Sequence, residues 1–298
     1  VQEYETHKIR RKQQANCEER YFCVSHPVSP FIPLPGGMPG DRIPYPNIWF
    51  VCTKRQGVSM PSVSAFWWSL VRNWGDRLTP LLLQRFAHIE PVWAPADAAE
   101  VVCVGSILGN LVKPGYTGVV VGSGKMFEEG IVPPFAHILA LRGPLTARGV
   151  DGAFALGDPG LLADELVTVN EKTYNLGIVP HWSDYRLEKD PRFLMYDPVI
   201  IRSNSDPLDV IRTIGACKKI VSSSLHGLIL ADAFNIPRRF EATASWLREG
   251  GDFKVRDHNA AIGLPFQIGV TQQADFNRVA DCKAGLWDAF KLAGVLLR

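Results

Sequence analysis

Short apolar runs return at intervals from residue 62 onward, separated by stretches with helical spacing. The first set covers residues 63–68, 101–104, 118–121 and 137–141. Apolar runs without polar alternation read as strands buried on both faces. Strands of that kind alternating with helices imply a parallel sheet with crossover helices. Residues 77–89 give the clearest helix, with Leu78, Leu82, Phe86 and Ile89 on one face and Asp76 placed to cap it. A further helix is expected over 145–148. The pattern restarts after Val169, with strands over 176–179, 193–196, 219–222 and 239–241. The helices of this second series fall at 207–216, 225–234 and 275–297, the last broken near Gly285. Two such series predict an α/β protein of two Rossmann-like domains facing each other across a cleft, over residues 61–168 and 169–298.

Residues 1–60 stand apart. They hold a basic run, Lys8-Ile-Arg-Arg-Lys12, and a Pro/Gly-dense stretch at 27–46 without helical or strand periodicity. An N-terminal extension that is disordered, or that reflects a start site placed too far upstream, would read this way. A net charge of +2 is too small to suggest nucleic-acid binding, although it favours an anionic substrate. No window holds the roughly 18 uninterrupted apolar residues that a membrane span needs, and no secretory signal is evident. Six cysteines lie scattered at 17, 23, 52, 103, 217 and 282, without a CxxC pair. That usage reads as reduced thiols of a cytoplasmic protein, with Cys103 and Cys217 packing in the core.

Five segments carry candidate chemistry. The most specific is Ser222-Ser-Ser-Leu-His-Gly227, where a buried strand runs into a polar triplet and a helix starts at once. Ligands gather at the carboxyl ends of parallel strands, and a helix start offers N–H groups to a phosphate. Ser223 or Ser224 is placed to cap that helix, and His226 falls in its first turn, towards the cleft mouth. A structural histidine beside a cap fits the same pattern. Arg142 ends a strand before Gly-Pro opens the predicted helix, where its guanidinium suits a phosphate, a carboxylate or a surface ion pair. Arg148, further along, is expected to be solvated. Asn73-Trp-Gly-Asp76 follows another strand; Asp76 is either a cap or a residue that holds or deprotonates a sugar hydroxyl. Asp158, in Gly157-Asp-Pro159, is either a turn former or a cleft residue. His181 ends the first strand of the second series.

Other patterns fail. Gly122-Ser-Gly124 lacks a third glycine for dinucleotide binding. No P-loop, zinc spacing or Gly-x-Ser-x-Gly elbow occurs.

Asn73-Trp-Gly-Asp76, Leu141-Arg-Gly-Pro144, Ala155-Leu-Gly-Asp-Pro159, Val179-Pro-His181 and the serine-run Leu-His-Gly segment stand in one order that resembles the polysaccharide pyruvyl transferase family. With Gly251-Asp-Phe-Lys-Val-Arg-Asp257, the chain looks most like the exopolysaccharide, xanthan-type ketal-pyruvate transferases. The resemblance spans about residues 62–270. It implies a fold similar to the two-domain GT-B glycosyltransferases and a phosphoenolpyruvate donor, with no cofactor or metal. It implies an arginine and the histidine of the Leu-His-Gly segment at the donor, by motif match Arg142 and His226, with Ser224 and Leu225 expected beside them. On the reading of the residues themselves, His226 and Asp76 are the expected catalytic groups, and Asn73, Asp158 and His181 are expected towards the acceptor or the cleft. The implied acceptor is a lipid-linked oligosaccharide at the inner face of the cytoplasmic membrane. This makes the expected protein cytoplasmic or peripheral, without a membrane span or a nucleic-acid partner. A GT-B nucleotide-sugar glycosyltransferase is the alternative enzyme, and a silent carbohydrate-binding scaffold the alternative outside catalysis.

Overall fold

The computed structural model describes residues 60–242 and 251–298, and the backbone of two short antiparallel strands, Tyr21–Phe22 and Thr53–Lys54. The sequence reading of the rest of 1–59 lies outside the described residues.

The first sheet has six strands, all parallel: β1 (Ser62–Phe66), β2 (Glu90–Trp93), β3 (Val101–Val102), β4 (Val119–Val121), β5 (His137–Leu141) and β6 (Ala155–Leu156). Their order is β2-β1-β3-β4-β5-β6. The valines of β3 and β4 are buried throughout, as expected of β-branched residues covered on both faces. β2 runs through half-buried and exposed residues at the sheet edge, where no apolar run marks it in the sequence.

The second sheet contains β7 (Gly177–Val179), β8 (Val199–Ile200), β9 (Ile220–Ser222), β10 (Arg238–Phe240) and β11 (Thr271–Gln272). Their order is β8-β7-β9-β10-β11, with only β11 antiparallel. The strand expected at 193–196 is instead the end of a short helix, α2 (Pro191–Leu194), and its following turn. Asp190 caps it by accepting from the Arg192 N–H, and Pro191 sits in the first turn, where a missing N–H costs nothing.

Helix α1 (Leu78–Leu82) runs directly into a π-helical turn, Leu83–Ala87, and stops at His88, whose φ of 54° is left-handed. Residues 145–148 form a turn rather than the expected helix. α3 (Pro207–Gly215) is capped by Asp206 and α4 (Leu225–Ala233) is buried at every residue. An apolar surface all round requires an internal position, and α4 lies against the 3-10 helix Pro159–Leu166 that follows β6. α5 (Gly251–Ala261) has no counterpart among the sequence-based elements. α6 (Phe276–Leu296), capped by Asp275, continues through Gly285, where an added Cβ would press on Ala155. Val279, Cys282, Leu286, Ala289, Phe290 and Ala293 form its buried stripe. Although last in the chain, α6 packs on β4, β5, β6 and the π-helical turn of the first sheet.

One apolar core includes Val63, Val101 and Val121 on the first sheet and Val179, Ile220 and Leu228 on the second. Cys103 and Cys217 are buried in it. No helix among the described residues is long and apolar enough to cross a membrane.

Candidate active site

Both sheets reverse their winding order once. β2 lies to one side of β1 and β3 to the other; β8 lies to one side of β7 and β9 to the other. Connections leaving such neighbours diverge at their carboxyl ends and leave a crevice, which is where open α/β sheets bind ligands. Here the two crevices open on one cavity of about 390 Å³. The connection after β1 supplies Trp68, Asn73, Trp74 and Asp76, and the connection after β3 supplies Ser106, Ile107, Asn110 and Leu111. Pro180, His181 and Trp182 follow β7; Ser224, Leu225 and His226 follow β9. Lys254 of α5 also lines it and is the only lysine or arginine among these lining residues.

Asp76 does not cap α1. Arg77 holds the cap position without a side-chain bond, and Asp76 Oδ2 accepts from Asn73 Nδ2 at 2.6 Å. Its other oxygen faces Gly105, whose φ of 119° and lack of a Cβ permit the approach. Burial raises Asp76 to about 7, Asn73 and Lys254 oppose the rise, and the Asp158 carboxylate adds to it. A carboxyl poised near neutrality therefore stands in the cavity wall.

His226 packs over Gly75, where any Cβ would collide with the ring, and meets Trp74 edge-on at 6.1 Å. Its Nε2 is buried without a hydrogen-bond partner. Burial lowers His226 to about 4, against the pull of Asp158, and Lys254, Arg142 and His258 lower it further. His181 falls to about 4 as well, through burial and then Lys254. Its backbone N–H donates to Ser223 Oγ at 2.8 Å, which ties the end of β7 to the end of β9. Both histidines are thus neutral at pH 7. The group that titrates near neutrality in this cavity is Asp76.

The serine triplet has divided duties. Ser222 Oγ accepts from the Ser224 N–H at 3.0 Å and lies within hydrogen-bond distance of the Val179 and Ser224 carbonyls. Ser223 serves His181. Ser224 occupies the cap position of α4, yet its side chain makes no capping bond and lines the cavity. Gly227 permits this junction, because a Cβ there would strike Ser222 Oγ and Val179.

Asn73, Asp76, His181, Ser224, Leu225 and His226 therefore meet at one cavity, whereas two predicted site residues do not line it. The sequence reading turns Arg142 towards the cleft. In the structure it is fully buried: Nε pairs with Asp257 at 2.9 Å, Nη1 donates to Ser106 Oγ at 2.5 Å and Nη2 to the Lys125 carbonyl at 2.7 Å. Each of its three nitrogens is bonded inside the protein, and Ser106 links it to the cavity wall. Asp158 is fully buried too. Its Oδ1 caps the 3-10 helix by accepting from the Gly160 N–H, and Oδ2 has no partner. It acts on the site through its charge. Arg148 is exposed and pairs with Glu128. Sequence reasoning missed Lys254, Ser106, Trp68 and Trp182. The α5 segment drew attention only through a family likeness, because its buried polar side chains hide it from hydrophobic periodicity. Among the described residues, no group of His, Cys, Asp or Glu is arranged to hold a metal ion.

Residues 131–240 match the family model for polysaccharide pyruvyl transferase, a span that includes Asp158, His181 and the Ser224–His226 junction. The chain is 32% identical over 230 residues to the succinoglycan biosynthesis protein ExoV of Rhizobium meliloti (strain 1021), covering 70% of this chain and 69% of that protein. It is 25% identical over 214 residues to the uncharacterized protein L143 of Acanthamoeba polyphaga mimivirus, covering 64% of this chain and 71% of the relative. No solved structure matches. A cavity at two strand switch points, built from segments within and beside the matched span, together with these likenesses, shows that the chain belongs to the polysaccharide pyruvyl transferase family and is a polysaccharide pyruvyl transferase.

Proposed function

We propose that the enzyme moves the pyruvyl group of phosphoenolpyruvate onto two hydroxyls of one sugar in an exopolysaccharide repeat unit carried on a lipid, forming a ketal and releasing phosphate. Residues 61–168 and 169–298 are read as two Rossmann-like halves of a GT-B-like fold, and the enzyme as a cytoplasmic or peripheral one. One observation carries the reading. A carboxyl near pKa 7, two neutral histidines and one lysine share a cavity with a helix start whose side-chain cap is missing.

Phosphoenolpyruvate brings a phosphate and a carboxylate. Lys254 and the first-turn N–H groups beside Ser224, Leu225 and His226 suit those anions, with each charge-assisted contact contributing roughly 1.5–3 kcal/mol. In the reaction, the C=C bond opens: the methylene carbon takes a proton from an acid, and one sugar hydroxyl bonds to the central carbon as it gives up its own proton to a base. The second hydroxyl then bonds there as the C–O bond to phosphate breaks, and its proton leaves with a base or with the phosphate. Asp76 is present in both protonation states near neutrality, which fits proton transfer to carbon or from a hydroxyl. A phosphate dianion beside His226 favours the charged imidazolium, so His226 takes up a proton as the donor binds and stabilises the departing phosphate. Asn73 orients Asp76, and His181 stands on the acceptor side.

The test is incubation with phosphoenolpyruvate and lipid-linked oligosaccharides, followed by mass spectrometry for the mass gain of a ketal. A parallel thermal-shift measurement should show stabilisation by phosphoenolpyruvate and none by UDP- or GDP-sugars. Stabilisation by a nucleotide sugar alone would refute phosphoenolpyruvate as the donor.

A further inference from the structure

Helix α5 is polar, yet it is buried where it matters. Asp257 and His258 are fully buried, and Lys254 and Asn259 nearly so. Each makes contact in a different direction. Lys254 lines the cavity. His258 Nε2 lies 2.9 Å from Asp232 of α4, and Asn259 accepts from Arg238 of β10 at 2.6 Å, both in the second series of elements. Asp257 reaches the first series, at the turn after β5. Its Oδ1 accepts from the N–H groups of Leu145 and Thr146, both at 2.9 Å. Its Oδ2 accepts from Thr146 Oγ1 at 2.6 Å and from Arg142 Nε at 2.9 Å.

Two adjacent N–H groups, a hydroxyl and an arginine make a complete carboxylate site. The protein fills it with its own carboxylate. Gly143 makes room for this: a Cβ there would collide with the Asp257 carbonyl oxygen. Gly124 makes room on the other side, where a Cβ would strike the Arg142 guanidinium. The same Arg142 reaches Ser106 in the cavity wall. Asp257 therefore lies one helical turn from Lys254 on one side and one arginine from Ser106 on the other.

We propose that Asp257 is a positioning residue of the transfer site. By closing the turn at residues 142–146 onto α5, it holds Lys254 at the donor anion, while the same Arg142 ties that turn to Ser106 in the cavity wall. This rests on the phosphoenolpyruvate reading for the identity of the donor, not for the geometry.

The test is a double-mutant cycle on the full chain with Asp257→Asn and Lys254→Ala, read by calorimetric titration with phosphoenolpyruvate. Lys254→Ala is expected to weaken binding by about tenfold to a hundredfold, the range of one charge-assisted contact. Asp257→Asn is expected to weaken it by about tenfold. The double variant should bind no more weakly than Lys254→Ala alone, because Asp257 acts through the lysine. If the two effects multiply, or if Asp257→Asn binds normally and only melts earlier, Asp257 is structural and the proposal fails. Should Asp257→Asn not fold, Arg142→Met/Asp257→Asn removes both charges and keeps an oxygen for the two N–H groups; it takes the place of the single variant in the cycle. A second titration with inorganic phosphate separates the two claims. Wild-type chain that binds phosphate but not phosphoenolpyruvate refutes the donor, and the cycle is then read with phosphate. Wild-type chain that binds neither anion overturns both.

Discussion

Two strand ends in this molecule offer the same chemistry to an anion and use it differently. After β5, the turn at residues 142–146 presents two N–H groups, a threonine hydroxyl and an arginine, and the Asp257 carboxylate occupies them all. After β9, the start of α4 has no side-chain cap and stands at the cavity beside Lys254. A buried ion pair whose arginine is bonded through all three nitrogens is a fastener. A helix start without a side-chain cap, in a cavity with a lysine, is the proposed receptor. The difference lies in whether the fold brings its own anion to the place.

The comparison breaks first at Arg142. An arginine that faces a ligand can be removed without loss of fold. Removing this one leaves Asp257 buried and charged, which typically costs about 3–5 kcal/mol. Arg142→Ala should therefore lower the melting temperature by roughly 10 °C or more, before any effect on donor affinity is considered. A variant that melts with the wild type and binds phosphoenolpyruvate poorly would return Arg142 to the receptor class.

The second break is at His226. His226→Gln keeps a hydrogen-bonding side chain and removes the titrating ring. Turnover should fall by about 10²-fold or more, with little change in melting temperature. Near-normal turnover with a lowered melting temperature would make the histidine part of the packing against Trp74 and Gly75, and the α4 junction would then be another fastener.

The third prediction concerns Asp76, which lines the same cavity, and follows from its raised pKa. Between the ordinary carboxylate value of 3.8 and its folded value of about 7, Asp76 binds its proton more tightly in the folded chain. Its contribution to stability is therefore full below pH 3.8 and is lost as pH rises towards 7. The two histidines act in the opposite sense: their depressed pKa values contribute stability above about pH 6.5 that is lost as pH falls through about 4. Asp76→Asn removes only the first effect. The stability of this variant relative to wild type should thus grow by roughly 2–3 kcal/mol between pH 5 and pH 8, since each tenfold gain in proton affinity is worth about 1.4 kcal/mol. Denaturant titrations at the two pH values measure it. A constant difference would mean that Asp76 is an ordinary ionised carboxylate and not an acid held near neutrality.

How much of this was legible in the residues depended on whether apolar character or polar pairing decides the outcome. β3, β4, β7 and β9 are apolar runs buried on both faces, and they stand where the pattern places them. Asn73, Asp76, His181 and His226 follow strand ends, and a strand end fixes position closely enough to bring them to one cavity. β2 and α5 were not legible. β2 is an edge strand with half-exposed side chains, and α5 buries an aspartate, a histidine and an asparagine that any periodicity assigns to solvent. The misplacement of Arg142 has the same cause: its partner is 115 residues away on that unseen helix. The strand expected at 193–196 failed for a local reason, since Asp190 and Pro191 start a helix there.

The smallest expected effect is also the finest division between fastener and receptor. A serine that caps a helix typically contributes about 1 kcal/mol, and its replacement by alanine forfeits that. Ser224 stands at the cap position of α4 but makes no capping bond. Ser222 is buried, and its hydroxyl accepts from the Ser224 N–H, 3.0 Å away, at the same junction. Ser224→Ala should therefore leave the melting temperature within about 2 °C of wild type, whereas Ser222→Ala should lower it by several times as much through the loss of a buried hydrogen bond. Donor binding should show the reverse order. Ser224 is one polar group among several in the cavity, so its loss should weaken phosphoenolpyruvate by no more than about tenfold, the value of one ordinary hydrogen bond. If Ser224→Ala lowers the melting temperature as Ser222→Ala does, its hydroxyl caps α4 in solution, and the helix start is closed by the protein itself, as the turn after β5 is.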